Sequence, residues 1–284
     1  MKIMEEEIYT DTGAAILKFF CRSLNFTGNN PYILIASAHF DDETIGLGGQ
    51  LSRIKNISFI HTTDSSPADL KDARLNGCAT AEEFSRMRYN EFCSAMNTAG
   101  NRMPSSVELC FRDQESSYHL PELTEIMTRL ISSLNPDVVL THPYEGGHPD
   151  HDACAFAVHY AVRMLKKEKT NTPAVVEFSS YFSKEGKMGV SDFIPYSGAQ
   201  KCEIVLKGKS LEIKKKMINC YRSQQHVLKY FPVEKECFRK SPEYDFTRPP
   251  HTGKLYYENF DWGIDAKTWN SLAEKAIKEI GGVK

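Results

Sequence analysis

Ala36-Ser37-Ala38-His39-Phe40-Asp41-Asp42-Glu43-Thr44-Ile45-Gly46 places one imidazole and three carboxylates within five residues, directly after the apolar run Tyr32-Ile33-Leu34-Ile35-Ala36. Asn29, Asn30 and Pro31 precede the run and the acids follow it, a pattern that predicts a buried strand of a parallel sheet. The polar cluster then falls at the carboxyl end of that strand, where open α/β sheets bind their ligands. Four ionisable groups so close together repel one another and lose hydration unless a positive charge sits among them. A metal ion is the simplest such charge.

Outward from this stretch the chain alternates between helix and strand signals. Thr44 to Ile54 predicts a helix whose Gly46, Gly48 and Gly49 lack dinucleotide-fingerprint spacing and instead allow close packing against the sheet or the loop. Ile57 to Thr63 predicts a second strand, and residues 65–79 a loop. Thr80-x-x-Glu83 is a capping box opening a helix to about Ala99, with Phe84, Met87, Phe92 and Met96 inward. Ser106 to Phe111 predicts a third strand. Leu123, Ile126, Met127, Leu130, Ile131 and Leu134 then trace an amphipathic helix, and Val138 to Leu140 begins a fourth strand. A second loaded loop, Thr141-His142-Pro143-Tyr144-Glu145-Gly146-Gly147-His148-Pro149-Asp150-His151-Asp152, leads into a helix from about Asp152 to Lys167.

At the flanks, residues 1–29 predict a short helix carrying Ala15, Ile16, Phe19 and Phe20. Strands are expected at 174–181 and 202–206, a Lys-rich helix at 210–221 and a closing helix at 265–280. The aromatic, Pro-rich segment 222–262 reads as extended loops wrapped on the rest. The pattern predicts an α/β fold, a Rossmann-like sandwich with a mostly parallel central sheet flanked by helices. With no repeat or linker, a single domain over 1–284 is expected, its metal-site core at about 30–168 and a C-terminal wrapping segment at about 200–284.

A composition of 41% hydrophobic and 25% charged residues with net charge −2 is that of an ordinary globular protein and gives no basis for a nucleic-acid or anionic-membrane partner. No apolar run approaches the roughly 20 residues of a membrane span. The acidic start is unlike a signal peptide, so a cytoplasmic location is expected. The eight cysteines are scattered without a C-x-x-C pair; Cys93, Cys110 and Cys154 fall on apolar faces, and reduced buried thiols are expected.

Together the two loops can supply two imidazoles and one carboxylate, His39, Asp42 and His151, the ligand set of a catalytic zinc site with a fourth position open. Zinc lowers the pKa of a water there toward about 7. Asp41, beside the metal and not bound to it, is free to take the proton. His148, as an imidazolium, would face an oxyanion, with Asp150 holding its ring. Such a site suits hydrolysis of an amide or ester carbonyl. Each cluster alone also has a plain structural reading: Asp41-Asp42-Glu43 as helix-start acids, His148 to His151 as a turn with surface histidines. The coincidence of both at strand ends favours the metal.

These motifs resemble those of the LmbE/PIG-L-like family of zinc-dependent de-N-acetylases, which remove acetyl groups from N-acetylglucosamine units on various carriers. Ala38-His39-Phe40-Asp41-Asp42-Glu43 with Gly46-Leu47-Gly48-Gly49 corresponds to that family's Ala-His-Pro-Asp-Asp-Glu motif and glycine-rich helix start; His148-Pro149-Asp150-His151 corresponds to its His-Pro-Asp-His. Tyr221-Arg222-Ser223-Gln224 is a looser echo of a late Ser-Gln segment. The resemblance implies the same ligands, His39, Asp42 and His151, with Asp41 as general base, His148 as oxyanion or leaving-group partner and Asp150 behind it. It also implies substrate contacts from Arg88 and Asp113, although a surface helix salt bridge accounts for Arg88 equally well. Tyr144 and Glu145 could reach the cavity from the second loop.

Phe40 stands where the family usually has proline, and Thr63-Asp64-Ser65-Ser66 where Asp-Gly is common, so loop shape should differ while the chemistry stays. The expected activity is zinc-dependent hydrolysis of an N-acetylated amino sugar or its conjugate, with Fe2+ or another divalent ion acceptable to the same ligands. The alternatives are an amidase of a thiol conjugate or other non-sugar amide, and a non-catalytic metal- or sugar-binding module. The expected partner is the small-molecule amino sugar; a homo-oligomer is allowed for.

Overall fold

The structure, a computed structural model, describes residues 12–22, 30–102, 104–168 and 170–281. In chain order its elements are α1 (Thr12–Arg22), β1 (Ile33–Ser37), α2 (Asp42–Leu51), β2 (Ile57–Pro67), α3 (Lys71–Leu75), α4 (Ala81–Thr98), β3 (Ser105–Asp113), α5 (Leu120–Leu134), β4 (Val138–Thr141) and α6 (Pro149–Lys167). There follow β5 (Ala174–Phe178), β6 (Tyr181–Lys184), β7 (Lys187–Val190), β8 (Lys201–Val205), α7 (Gly208–Ile218), α8 (Gln225–Leu228), β9 (Lys235–Lys240) and α9 (Ala266–Glu279).

Seven strands make one sheet in the order β3-β2-β1-β4-β5-β9-β8. The first five run parallel, while β9 and β8 complete the sheet antiparallel. β1 is covered on both faces, and the period of two divides its side chains. Leu34 and Ala36 join the core beneath α5, α6 and α9; Ile33 and Ile35 join the one beneath α1, α2, α4 and α7. From β1 the chain winds out through β2 and β3 on one side, then returns to place β4 on the other. β1 and β4 therefore flank the switch point of the sheet, in register from Ile33↔Val138 to Ile35↔Leu140. Both loaded loops leave the carboxyl ends of these adjacent strands, where a crevice opens. Gly46 lets α2 come down on β5, because a Cβ there would run into the Phe178 ring.

Several expectations need correction. Residues 65–79 are not loop throughout: β2 continues to Pro67 through two register shifts, and α3 follows. The expected strand 174–181 breaks at Ser179, whose N–H donates to the Cys237 carbonyl, and Tyr181 begins the separate β6–β7 hairpin. Segment 222–262 is not all loop, because β9 lies inside the sheet between β5 and β8. Of the N-terminal expectation, α1 is present; residues 1–11 and 23–29 and the side chains of Ala15 and Phe19 lie outside the described residues. Cys78, Cys154 and Cys237 are buried free thiols, but Cys110 is exposed, at a positive φ of 58°, and Cys202 is disulfide-bonded. No helix among the described residues is long and apolar enough to cross a membrane.

Candidate metal centre

The loop after β1 turns into α2 within a few residues, and Asp42 closes it by accepting the His39 N–H at 2.7 Å. The loop after β4 ends at His148, the N-cap of α6, whose Nδ1 accepts the Asp150 N–H at 3.2 Å. His151 follows in the first turn of the helix. The two loops meet around three side chains. His39 Nδ1 lies 3.3 Å from Asp42 Oδ2, His151 Nε2 lies 3.2 Å from Asp42 Oδ1, and the two imidazole nitrogens are 3.3 Å apart. Tetrahedral zinc with bonds near 2.0–2.1 Å spaces its ligand atoms about 3.4 Å apart, so this donor set fits a small divalent ion. All three side chains are buried.

His39 turns its other nitrogen to a second carboxylate pair: Nε2 lies 3.2 Å from Asp113 Oδ1 and 3.4 Å from Asp150 Oδ2. Burial opposes a charge on His39, yet Asp113, Asp150 and Asp42 raise its pKa well above the ordinary value. The centre therefore attracts positive charge. An imidazole with one nitrogen toward a metal and the other on a carboxylate is the usual way ring orientation is held.

Asp150 thus does not act where it was expected. Its carboxylate accepts from Gln114 N–H, Ser116 N–H and Ser116 Oγ–H and stands 3.7 Å from His148 Nδ1, outside hydrogen-bond distance. It steadies His39 and the start of the turn after β3. The surroundings of His148 oppose the imidazolium form. Burial, and then the neighbouring His39, push its pKa down to about 3. With Nδ1 accepting from Asp150 N–H, the proton sits on Nε2, which gives a neutral N–H donor.

Asp41 is buried, and the Arg88 Nη2–H donates to its Oδ2 at 3.1 Å. Burial raises its pKa while Arg88 opposes the rise. Arg88 also donates from Nη1 to the Ser65 carbonyl and is 4% exposed, which excludes the surface salt bridge. Asp113 is buried beside His39, and its N–H donates to Asp64 Oδ1. Tyr144 does not reach the cluster. Its hydroxyl donates to the Arg248 carbonyl and accepts from Asn270 Nδ2, and its ring packs on Tyr244, Phe246 and Trp269. Glu145 likewise turns away, accepting from Ile194 N–H and Arg239.

Sequence reasoning left three features unassigned. His142 stacks on His151 at 4.0 Å with rings 6° apart, its Nε2 lying 3.2 Å from Asp42 Oδ2 and 3.1 Å from Ala38 N. Its place before the Pro143-Tyr144 turn at the end of β4 was the available signal. Glu43 points into the core, accepting the Tyr221 hydroxyl at 3.0 Å, while Ser223 donates its N–H and hydroxyl to Glu91 on α4; the late Tyr221–Gln224 echo clamps both helices beneath the centre. Phe40, in place of a proline, donates its N–H to Ser65 Oγ at 3.0 Å, a bond proline could not make, and packs against His61, Tyr89 and Phe92.

A family model described as GlcNAc-PI de-N-acetylase, PIG-L, matches residues 34–162. The chain is 27% identical over 170 residues to a probable N-acetyl-alpha-D-glucosaminyl L-malate deacetylase 2 of Bacillus subtilis (strain 168), covering 57% of this chain and 74% of that one. To the protein of the same description from Bacillus anthracis it is 26% identical over 177 residues, 59% of this chain and 77% of that one. Among solved structures, the antimicrobial reagent A40926 pseudoaglycone deacetylase superposes with a TM-score of 0.57 at 17% identity, over 76% of this chain and 99% of that one. The Pyrococcus horikoshii N,N'-diacetylchitobiose deacetylase gives 0.51 at 19%, over 84% and 95%. At these identities the structural likeness speaks for the fold.

Proposed function

The chain carries a domain of the PIG-L/LmbE family, and on that premise we propose that it is a divalent-metal-dependent hydrolase removing acetyl from an N-acetylated amino sugar or its conjugate. The supporting observation is the convergence of His39 Nδ1, Asp42 and His151 Nε2 at 3.2–3.3 Å beside a buried Asp41. The curated relatives described as malate-conjugate deacetylases support the substrate class.

In this reading His39, Asp42 and His151 hold the ion, with zinc as the first choice and Fe2+ also suited to the donors. When bound, the ion supplies Lewis acidity and makes water a nucleophile at neutral pH. Asp41 accepts the proton of the attacking water, and Arg88 holds its carboxylate in place through Oδ2. The neutral His148 Nε2–H donates to the oxygen on which negative charge develops. Asp41 then passes its proton to the departing amine. Arg88 and Asp113, in contact with Asp41 and His39, are the polar groups for sugar hydroxyls. A cytoplasmic setting and a homo-oligomer remain part of the same proposal.

The test is metal content together with primary-amine release from N-acetyl sugars. Zinc near one per chain in the wild type, lost in His151→Ala, with Asp41→Asn keeping metal and losing amine release, is the expected result. A wild-type protein that holds no supplied divalent ion overturns the reading.

A further inference from the structure

From the proposed centre a chain of ring contacts runs outward and returns. Starting at His151, the centroids are separated by 5.3 Å to Tyr181, 5.5 Å to Tyr256, 5.5 Å to Phe260, 4.5 Å to Trp262, 4.7 Å to His148 and 5.2 Å back to His151. The circuit is closed, and its exposure is graded. The two histidines are buried, Tyr181, Tyr256 and Trp262 are half-buried, and Phe260 is 43% exposed. Phe260 and Trp262 lie nearly parallel, 15° apart. Gly147 permits the closure on the Tyr181 side, since a Cβ there would collide with the Tyr181 carbonyl oxygen.

Such a collar is unusual beside so polar a centre. Asp41, Arg88, Asp113 and Asp150 come from α4, the end of β3 and the two loaded loops. The rings come from the β6 strand and residues 256–262, apart from the two histidines. Large apolar rings left partly open and continuous with a reaction centre mark a binding surface. None of the four added rings carries a charge.

We propose that this collar binds a planar apolar group attached to the amino sugar, an aryl aglycone lying on the Phe260–Trp262 pair. The proposal rests on the amino-sugar reading above. A carboxylate-bearing aglycone finds no cationic side chain among the four added rings, so it gains nothing there.

The experiment compares phenyl and methyl N-acetyl-β-D-glucosaminides, with the L-malate conjugate as anionic control. Binding is measured by calorimetry on zinc-loaded Asp41→Asn protein, with and without Phe260→Ala or Trp262→Ala. Amine release is measured with the Asp41 residue intact. The phenyl compound is expected to bind roughly 10- to 100-fold tighter than the methyl compound, as burial of one ring on an aromatic pair implies. Either collar variant should reduce that ratio to about threefold or less, and the malate conjugate should bind no better than the methyl compound. Equal phenyl and methyl affinities, a preference that survives both variants, or tightest binding of the malate conjugate overturns the proposal. A phenyl preference lost in the variants, with no amine released from any compound, upholds the collar and defeats the deacetylase reading. Amine release without phenyl preference does the reverse.

Discussion

Replacing Glu145 by Gln should stabilise the protein increasingly as pH rises. Glu145 and Glu177 share one buried guanidinium: Arg239 Nε–H donates to Glu177 Oε2 at 2.6 Å, and Nη2–H to Glu145 Oε1 at 3.1 Å. Burial pushes the Glu145 carboxyl from its ordinary 4.5 up to about 8, against the pull of Arg239. Between those values the folded protein holds a proton that the unfolded chain has released, so stability falls with rising pH through that window at about 1.4 kcal/mol per pH unit. The full interval gives an upper limit of roughly 5 kcal/mol. Gln keeps an acceptor for Arg239 and for the Ile194 N–H and does not titrate. Asp152, which burial also raises to about 8, titrates in both proteins, and in the wild type its charge adds to the rise at Glu145. Thermal unfolding of wild type and Glu145→Gln should therefore diverge by about 3 kcal/mol between roughly pH 5.5 and pH 8.5, or ~6–12 °C in Tm for a chain of this size. Melting curves that stay parallel across that range, or a wild type that gains on the variant, refute the reasoning.

The same buried ion cluster predicts that Arg239→Met leaves Glu177 without its cationic partner and costs about 3–5 kcal/mol, read from the midpoint of urea unfolding. His142→Phe preserves the stacking surface under His151 but removes Nε2 from Asp42; zinc affinity in a chelator competition should weaken roughly 10- to 100-fold while the far-ultraviolet spectrum is unchanged. Phe40→Ala vacates the space between His61, Tyr89 and Phe92 and should destabilise by about 3–5 kcal/mol in the same urea assay. Phe40→Pro should be at least as damaging, because Ser65 Oγ loses its donor as well.

How far the chain can be read without its structure depends on whether a feature is local. β1 and its loop were legible because strand, turn and acids are contiguous, and β4 with its loop for the same reason. β9 was not, since Lys235-Glu236-Cys237-Phe238-Arg239-Lys240 carries four charges in six residues. It is buried only because Glu236 meets Lys214 and Arg239 meets Glu177 and Glu145, all distant in sequence. Tyr144 and His142 sit two residues apart on one loop, yet only His142 reaches the centre. The Pro143 turn separates them, and Asn270 and Trp269 of α9 claim the tyrosine. The expected pairing of Asp150 with the His148 ring could not take account of Gln114 and Ser116, which lie in the turn after β3 and aim its carboxylate toward His39.

The division between contiguous loops and distant collar has an evolutionary side. Every residue proposed to touch the ion or move a proton lies between His39 and His151, whereas Tyr181, Tyr256, Phe260 and Trp262 lie outside that interval. Mutations of these four residues therefore leave the inner machinery's coding segment untouched. Substitution at those four positions changes what flanks the amino sugar while the residues proposed for the ion and the proton keep their places.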